Sequence, residues 1–251
     1  MNKVIEDLQI YVSYHLESQL IDYNIKETKY VKLINLLDYN KLGDLINFNK
    51  YFNEFEAMLY IYYNQIYSKY IGFCHYRRMF ETIDLNLLRN NKIFIYKYCE
   101  TQNVVNSLDT EGFLYDKKLY FDFYKFMIDY SNVNISINKL YNILYGDGVI
   151  KLPLYETYIC RWEQFNNIMF YIDKFLTYYF GNKLQYINIY ANTIIFNNHK
   201  EYNNDTFRSI GFFIERLIGI MQLLLYENDL IYYNLDTIDD ASKYNKIINN
   251  E

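Results

Sequence analysis

Glycine and proline are scarce in this chain of 251 residues, at 8 and 1 copies, roughly 3% and under 1% against usual shares near 7% and 5%. That scarcity leaves no Pro- or Gly-rich linker in the chain. Cysteine is scarce as well: Cys74, Cys99 and Cys160 stand far apart with no C-x-x-C spacing. Such spacing argues against a disulfide framework and a zinc site alike, and fits a reducing compartment. Charge of one sign is not in excess, since 25 basic against 30 acidic residues leave a net of −5 with 22% charged. A general nucleic-acid binder and a disordered acidic tail are both excluded, while one small basic pocket is not.

A long apolar run is also missing. The most apolar stretch, Ile210 to Tyr226, is interrupted by Glu215 and Arg216 and falls short of the ~20 residues a membrane span needs, so it reads as a buried helix. The first residues, Met1 to Asp7, carry acids where a signal peptide needs basic residues, which predicts no export. The expectation is a soluble, cytoplasmic protein with at most peripheral contact at the inner face of a membrane. Several familiar sites are absent too: no Gly-rich dinucleotide loop, no G-x-x-x-x-G-K-[ST], no H-E-x-x-H and no G-x-S-x-G.

What is present is apolar and aromatic. The apolar share is 51%, with 32 Tyr, 18 Phe and 1 Trp, at a mean hydropathy of −0.23. Such a chain folds around a core. Tyr, Asn, Ile and Lys have AT-rich codons, so the aromatic bias follows genome composition, and tyrosine stripes read as packing before they read as stacking platforms for sugars or bases.

Alternation of β-branched residues predicts a first strand over Leu8 to Ser13, ending at Tyr14-His15. A helical or irregular stretch follows. Phe52, Phe55, Leu59, Tyr62 and Ile66 recur at three and four, predicting an amphipathic helix from Tyr51 to Tyr67. The short run Ile71-Gly72-Phe73-Cys74 then reads as a buried strand, with His75-Tyr76-Arg77-Arg78 just beyond its end, where an open α/β sheet binds ligands. Lys92 to Tyr98 is another strand candidate, and Tyr115 to Leu144 carries mixed helical periodicity. The segment around Tyr158 to Trp162 reads as a strand entering a helix over Gln164 to Phe180. A further short element is expected to begin over Asn182 to Tyr190. The last helix is expected from about Thr206 to Tyr226, capped by Asp205 or Thr206, and a polar, frayed tail over 229–251. No repeat or domain boundary is visible, so residues 1–251 read as one α/β domain with a helical C-terminal part.

Arg77 and Arg78, with His75 beside them, form a compact positive site suited to a diphosphate, because guanidinium forks match phosphate oxygens. The alternative is a pair of surface arginines with His75 satisfied by backbone. Arg208, Gly211, Glu215 and Gly219 share one helix face, where two small residues leave room for an approaching group; a solvated edge with Glu215 paired to Arg208 or Arg216 is the alternative. Asp44 and Glu54 are further candidate carboxylates, with caps and surface positions as their alternative. The Asp236, Asp239 and Asp240 cluster reads as a solvated face rather than a metal site.

The run Asn47 to Ala57, followed by Tyr70-Ile71-Gly72-Phe73-Cys74-His75-Tyr76-Arg77-Arg78-Met79-Phe80, resembles the HYRR-containing glycosyltransferases of capsular and O-antigen polysaccharide loci. Tyr14-His15, the Tyr158-Ile159 segment before Trp162, and Arg208 to Leu217 look like that family's remaining blocks, in the same order. The sequence departs from the pattern at Asn53, at Glu56 and at Glu156, where the family commonly has Asn. The resemblance implies a GT-A-like open mixed sheet flanked by helices, and transfer of a sugar, galactofuranose among the candidates, from a uridine diphosphate-linked donor. It also implies a glycan acceptor, lipid-linked forms included. On this reading Tyr14, His15, His75, Tyr76, Arg77, Arg78 and Arg208 bind the donor, fixed arginines stand in for a divalent metal, and Asp44, Glu54 and Glu215 are the candidate catalytic carboxylates. No metal ligand and no cofactor beyond the sugar nucleotide is expected, and no nucleic-acid partner. A catalytically inactive carbohydrate- or protein-binding module on the same fold is the alternative.

Overall fold

The computed structural model describes residues 7–36, 54–76, 78, 80, 84–105, 117–130, 135–180 and 209–233. In chain order these form β1 (Leu8–Tyr14), α1 (Glu17–Asp22), β2 (Val31–Asn35), α2 (Phe55–Tyr63), β3 (Tyr70–His75), α3 (Leu85–Arg89), β4 (Ile93–Thr101), α4 (Lys117–Tyr130) and α5 (Ile137–Tyr145). There follow β5 (Ile150–Arg161), α6 (Trp162–Phe180), α7 (Ser209–Tyr226), a 3₁₀ turn (Glu227–Asp229) and β6 (Leu230–Tyr232). The fold is mixed α/β, with an open mixed sheet flanked by helices, as the sequence led us to expect.

The six described strands lie in the order β2-β1-β3-β5-β4-β6. β1 pairs in parallel with β2 and β3, β4 pairs in parallel with β6, and β5 runs antiparallel between β3 and β4. Five of the strands therefore point one way, and their C-terminal ends share one edge of the sheet. Alternation along each strand divides the core between the two faces. Ile71 and Phe73 of β3, Ile93 and Ile95 of β4, and Tyr158 and Cys160 of β5 join the larger layer with α2, α4, α5, α6 and α7. Leu8, Ile10, Val12 and Tyr14 of β1, with Tyr70, Cys74, Phe94, Tyr96 and Ile159, form the smaller layer with Leu20 of α1, Ile25 and Leu88 of α3.

Two contacts explain why the sheet closes as it does. Gly72 of β3 has no side chain because a Cβ there would lie 2.9 Å from Ile159 Cγ1 and 3.2 Å from Ile10 Cγ1 of the flanking strands. Gly219 of α7 lets the helix rest on β5, since a Cβ would come within 2.4 Å of the Pro153 carbonyl oxygen.

The expected helix from Tyr51 to Tyr67 is shorter: α2 ends at Tyr63, where Asn64 and Gln65 turn out of the helix, Gln65 at φ 49°. The stretch expected to be helical or irregular after β1 contains β2. The expected frayed tail begins instead with β6, whose Leu230 is buried and whose preceding turn is held by Lys92 Nζ on Asp229 Oδ1 at 2.9 Å. The expected elements over Asn182 to Tyr190, the cap at Asp205 or Thr206, and residues 234–251 lie outside the described residues.

Candidate functional site

The shared edge is built from the register of β1 and β3. Ser13 lies opposite His75, so the residues that follow each strand, Tyr14-His15 and Tyr76, emerge side by side. The Tyr14 hydroxyl donates to Glu17 Oε1 at 3.0 Å, and the Gln19 side chain accepts from the His15 and Leu16 backbone N–H groups while its Nε2 lies 3.0 Å from His15 Nε2. The rings of His15, Tyr23 and His75 all pack on Tyr76, the last at 3.9 Å between centroids. This aromatic cluster fixes the strand ends, and its rings are filled with one another. After His75 the chain turns tightly: Arg78 N–H donates to the His75 carbonyl at 2.8 Å, which brings Arg78 back beside the strand it has just left.

Glu54 approaches from the other side. It stands at the entry to α2 in helical geometry and makes no capping bond; its Oε1 instead lies 2.9 Å from His75 Nε2. Burial alone would raise its pKa, but the hydrogen bond and charge of His75, with Arg78 beyond, outweigh that and hold it down at about 2. Glu54 is thus ionised and committed to the cationic turn. His75 is 6% exposed and Glu54 33%.

The third wall comes from an irregularity in β5. Ile95 pairs with Tyr158 and Lys97 with Leu154, so one residue of β4 faces three of β5. The excess is absorbed in a bulge, and Glu156 takes the left-handed conformation there, at φ 51°. A glutamate in that region is uncommon, and bulges and such outliers gather beside functional sites. The Glu156 side chain turns inward: it is 7% exposed and neither carboxyl oxygen has a hydrogen-bond partner. Burial raises its pKa well above the usual carboxyl range, the charges of Glu54 and Glu215 add to the rise, and Arg78 opposes it. Glu156, Thr157 and Tyr158 line a closely packed cleft with Glu215, Gly219 and Gln222 of α7, with no free space the size of a ligand.

Of the residues singled out in the sequence, the structure therefore brings Glu54, His75 and Arg78 together and sets Glu215 of α7 beside Glu156, with Tyr14, His15 and Tyr76 on the adjoining strand ends. Asp44, Arg77 and Arg208 lie outside the described residues. On α7 the group that approaches the small residues is β5 itself, at Gly219. Glu156 was noticed only as a departure from the family pattern. The signal that would have found it is an acid in the middle of the apolar strand Leu152 to Cys160.

Among the described residues no group of three or more His, Cys, Asp and Glu side chains is arranged to hold a metal ion. The strand end carries the Arg78 guanidinium, which suits anions, beside a histidine engaged with Glu54. No described helix is long and apolar enough to cross a membrane.

No protein-family model matches the sequence. No curated protein sequence matches it. Among solved structures the fold is similar to that of WbbM, described as a bifunctional glycosyltransferase in its apo state, with a TM-score of 0.58 and 15% identity. The likeness covers 90% of this chain and 44% of WbbM, so the chain spans less than half of that protein's length.

Proposed function

We propose that the protein is a glycosyltransferase that moves a sugar from a nucleotide diphosphate donor, uridine-linked and of the galactofuranose kind, to a glycan acceptor of a surface polysaccharide. The observation that carries this reading is the cationic turn His75 to Arg78, set at the C-terminal ends of parallel strands and backed by Glu54. Open α/β sheets bind their ligands at that edge, and the fold recurs in a protein described as a glycosyltransferase.

Arg78 supplies fixed charge for the diphosphate, with Arg77 as its sequence neighbour, and the His75–Glu54 pair braces the turn that carries it. Preorganised donors of this kind act where charge develops on the leaving group. In the transfer the acceptor oxygen bonds to the anomeric carbon as the bond from that carbon to the diphosphate breaks, and the electron pair leaves with the nucleotide. With inversion, the acceptor proton must pass to a carboxylate. A carboxylate held at about 2, as Glu54 is, is a weak proton acceptor, and Glu215 on the cleft wall is the described carboxylate placed for the role. The acceptor, lipid-linked or free, would reach the site from the cytoplasmic side.

Thermal melting with UDP, UDP-sugars, other nucleotide diphosphates and inorganic phosphate, each with and without chelator, tests the reading. A ligand that binds only the folded state raises Tm by mass action. A chelator-resistant rise specific to one nucleotide is expected. No selective rise from any nucleotide overturns the transferase reading in favour of a binding module; a rise that chelator abolishes and divalent metal restores overturns the role given to fixed arginines.

A further inference from the structure

Glu156 combines three features that no other described residue shares. Its backbone is in the left-handed region without being glycine, it sits at the apex of a bulge, and its carboxyl is buried with both oxygens unpartnered. Each has a cost. A left-handed non-glycine residue costs roughly 1 kcal/mol or more, and a buried polar group without a partner roughly 1 to 3 kcal/mol. Among the described residues no hydrogen bond to the carboxyl offsets them, and unpartnered, strained groups of this kind gather at ligand sites.

The surroundings indicate the kind of group. Glu54 at the entry to α2 and Glu215 on α7 act electrostatically on Glu156, and Arg78 acts in the opposite sense; Tyr158, two residues on, is itself held protonated by burial. Positive charge is gathered at the turn after β3, and carboxyl groups at the cleft between the β5 bulge and α7. A diphosphate belongs at the first. At the second, carboxyl oxygens suit hydroxyl groups, which both donate and accept. Because burial keeps Glu156 protonated above the ordinary carboxyl range, it can itself donate one hydrogen bond and accept another, as an amide side chain does, without placing a further negative charge beside the diphosphate.

We infer that the cleft between the β5 bulge and α7 is the sugar subsite of the donor site, and that Glu156 determines specificity there by exchanging hydrogen bonds with a sugar hydroxyl. This rests on the transferase reading above and adds to it where the sugar lies and which residue reads it. The side-chain oxygens are covered in the conformation described, so the inference requires the bulge and α7 to separate locally when the sugar binds.

The test is the affinity of wild type, Glu156→Gln and Glu156→Ala for UDP, UDP-galactose and UDP-galactofuranose, measured by calorimetry. Glutamine keeps a donor and an acceptor in the same place, so E156Q is expected within about threefold of wild type for every ligand. E156A is expected to bind UDP as wild type does and to lose about tenfold or more for the sugar nucleotide that wild type prefers, the loss of one well-placed hydrogen bond. Retained UDP affinity shows that each variant is folded. Equal affinities for the sugar nucleotide in E156A and wild type overturn the inference. So does a loss of UDP and sugar nucleotide together, which would place Glu156 on the diphosphate, and so does an E156Q defect as large as that of E156A. If wild type binds none of these nucleotides, the transferase reading fails and the subsite falls with it, before any variant is compared.

Discussion

Glu54 and Glu156 are both glutamates within reach of Arg78, yet the site drives them apart. Glu54 accepts from His75 and is held ionised, while Glu156 has no such partner and keeps its proton. Environments that separate the titration of neighbouring acids are how one cleft acquires two functions from one residue type. The sign of the consequence differs too. Glu54 titrates at about 2 in the folded protein against an ordinary value of 4.5, so the stability it contributes is present above 4.5 and is lost as pH falls from there through about 2. Melting curves of wild type and Glu54→Gln across that window are expected to converge as the pH falls; a difference in Tm that stays constant from pH 6 to pH 2 would contradict the pairing with His75. For Glu156 the direction is reversed: stability is greatest below the ordinary carboxyl value and is lost as pH rises through its elevated one. Replacing it with glycine removes both the strained side chain and the unpartnered acid, and Glu156→Gly is expected to melt above wild type while binding sugar nucleotide more weakly, in line with sites that trade stability for function.

At the scale of elements, the contact that matters is α7 on β5. Gly219 meets the Pro153 carbonyl with no room for a methyl group, and a backbone oxygen cannot rotate away as a side chain would. Gly219→Ala is therefore expected to push α7 off the sheet at a cost of about 1 to 3 kcal/mol, visible as a lower Tm. An unchanged melt would mean that the helix packs more loosely there. Elements with strong local signals were legible in the sequence. β3 is an apolar run with a polar end, α7 carries a continuous apolar face, and β1 alternates, so period and composition sufficed. β2 and β6 were not, because strands of five and three residues carry too little periodicity, and their place is decided by the neighbour they pair with. The bulge at Glu156 was illegible for a related reason. Glycine or asparagine normally marks a left-handed residue, and here the packing of β4 and α7 imposes it on a glutamate.

For the whole molecule, the sheet is assembled from segments far apart in the chain. β6 joins β4 across more than a hundred residues and buries Leu230 in the larger layer. Leu230→Ala is expected to destabilise the protein by about 2 kcal/mol, measured by denaturant titration, whereas no effect would mean that the last strand is incidental to the fold. The central place of β5 has a kinetic meaning as well. β3 and β4 are both complete before β5 exists, and only β5 can fill the gap between them. From the moment Tyr70 to His75 has been synthesised until Arg161 has followed, a nascent chain carries an unpaired, apolar sheet edge in the run Tyr70-Ile71-Gly72-Phe73-Cys74. Such an edge invites pairing with another copy. Yield on refolding should therefore fall steeply with protein concentration and recover when folding is carried out dilute, and the ribosome-bound chain is a natural client for a holding chaperone over that interval.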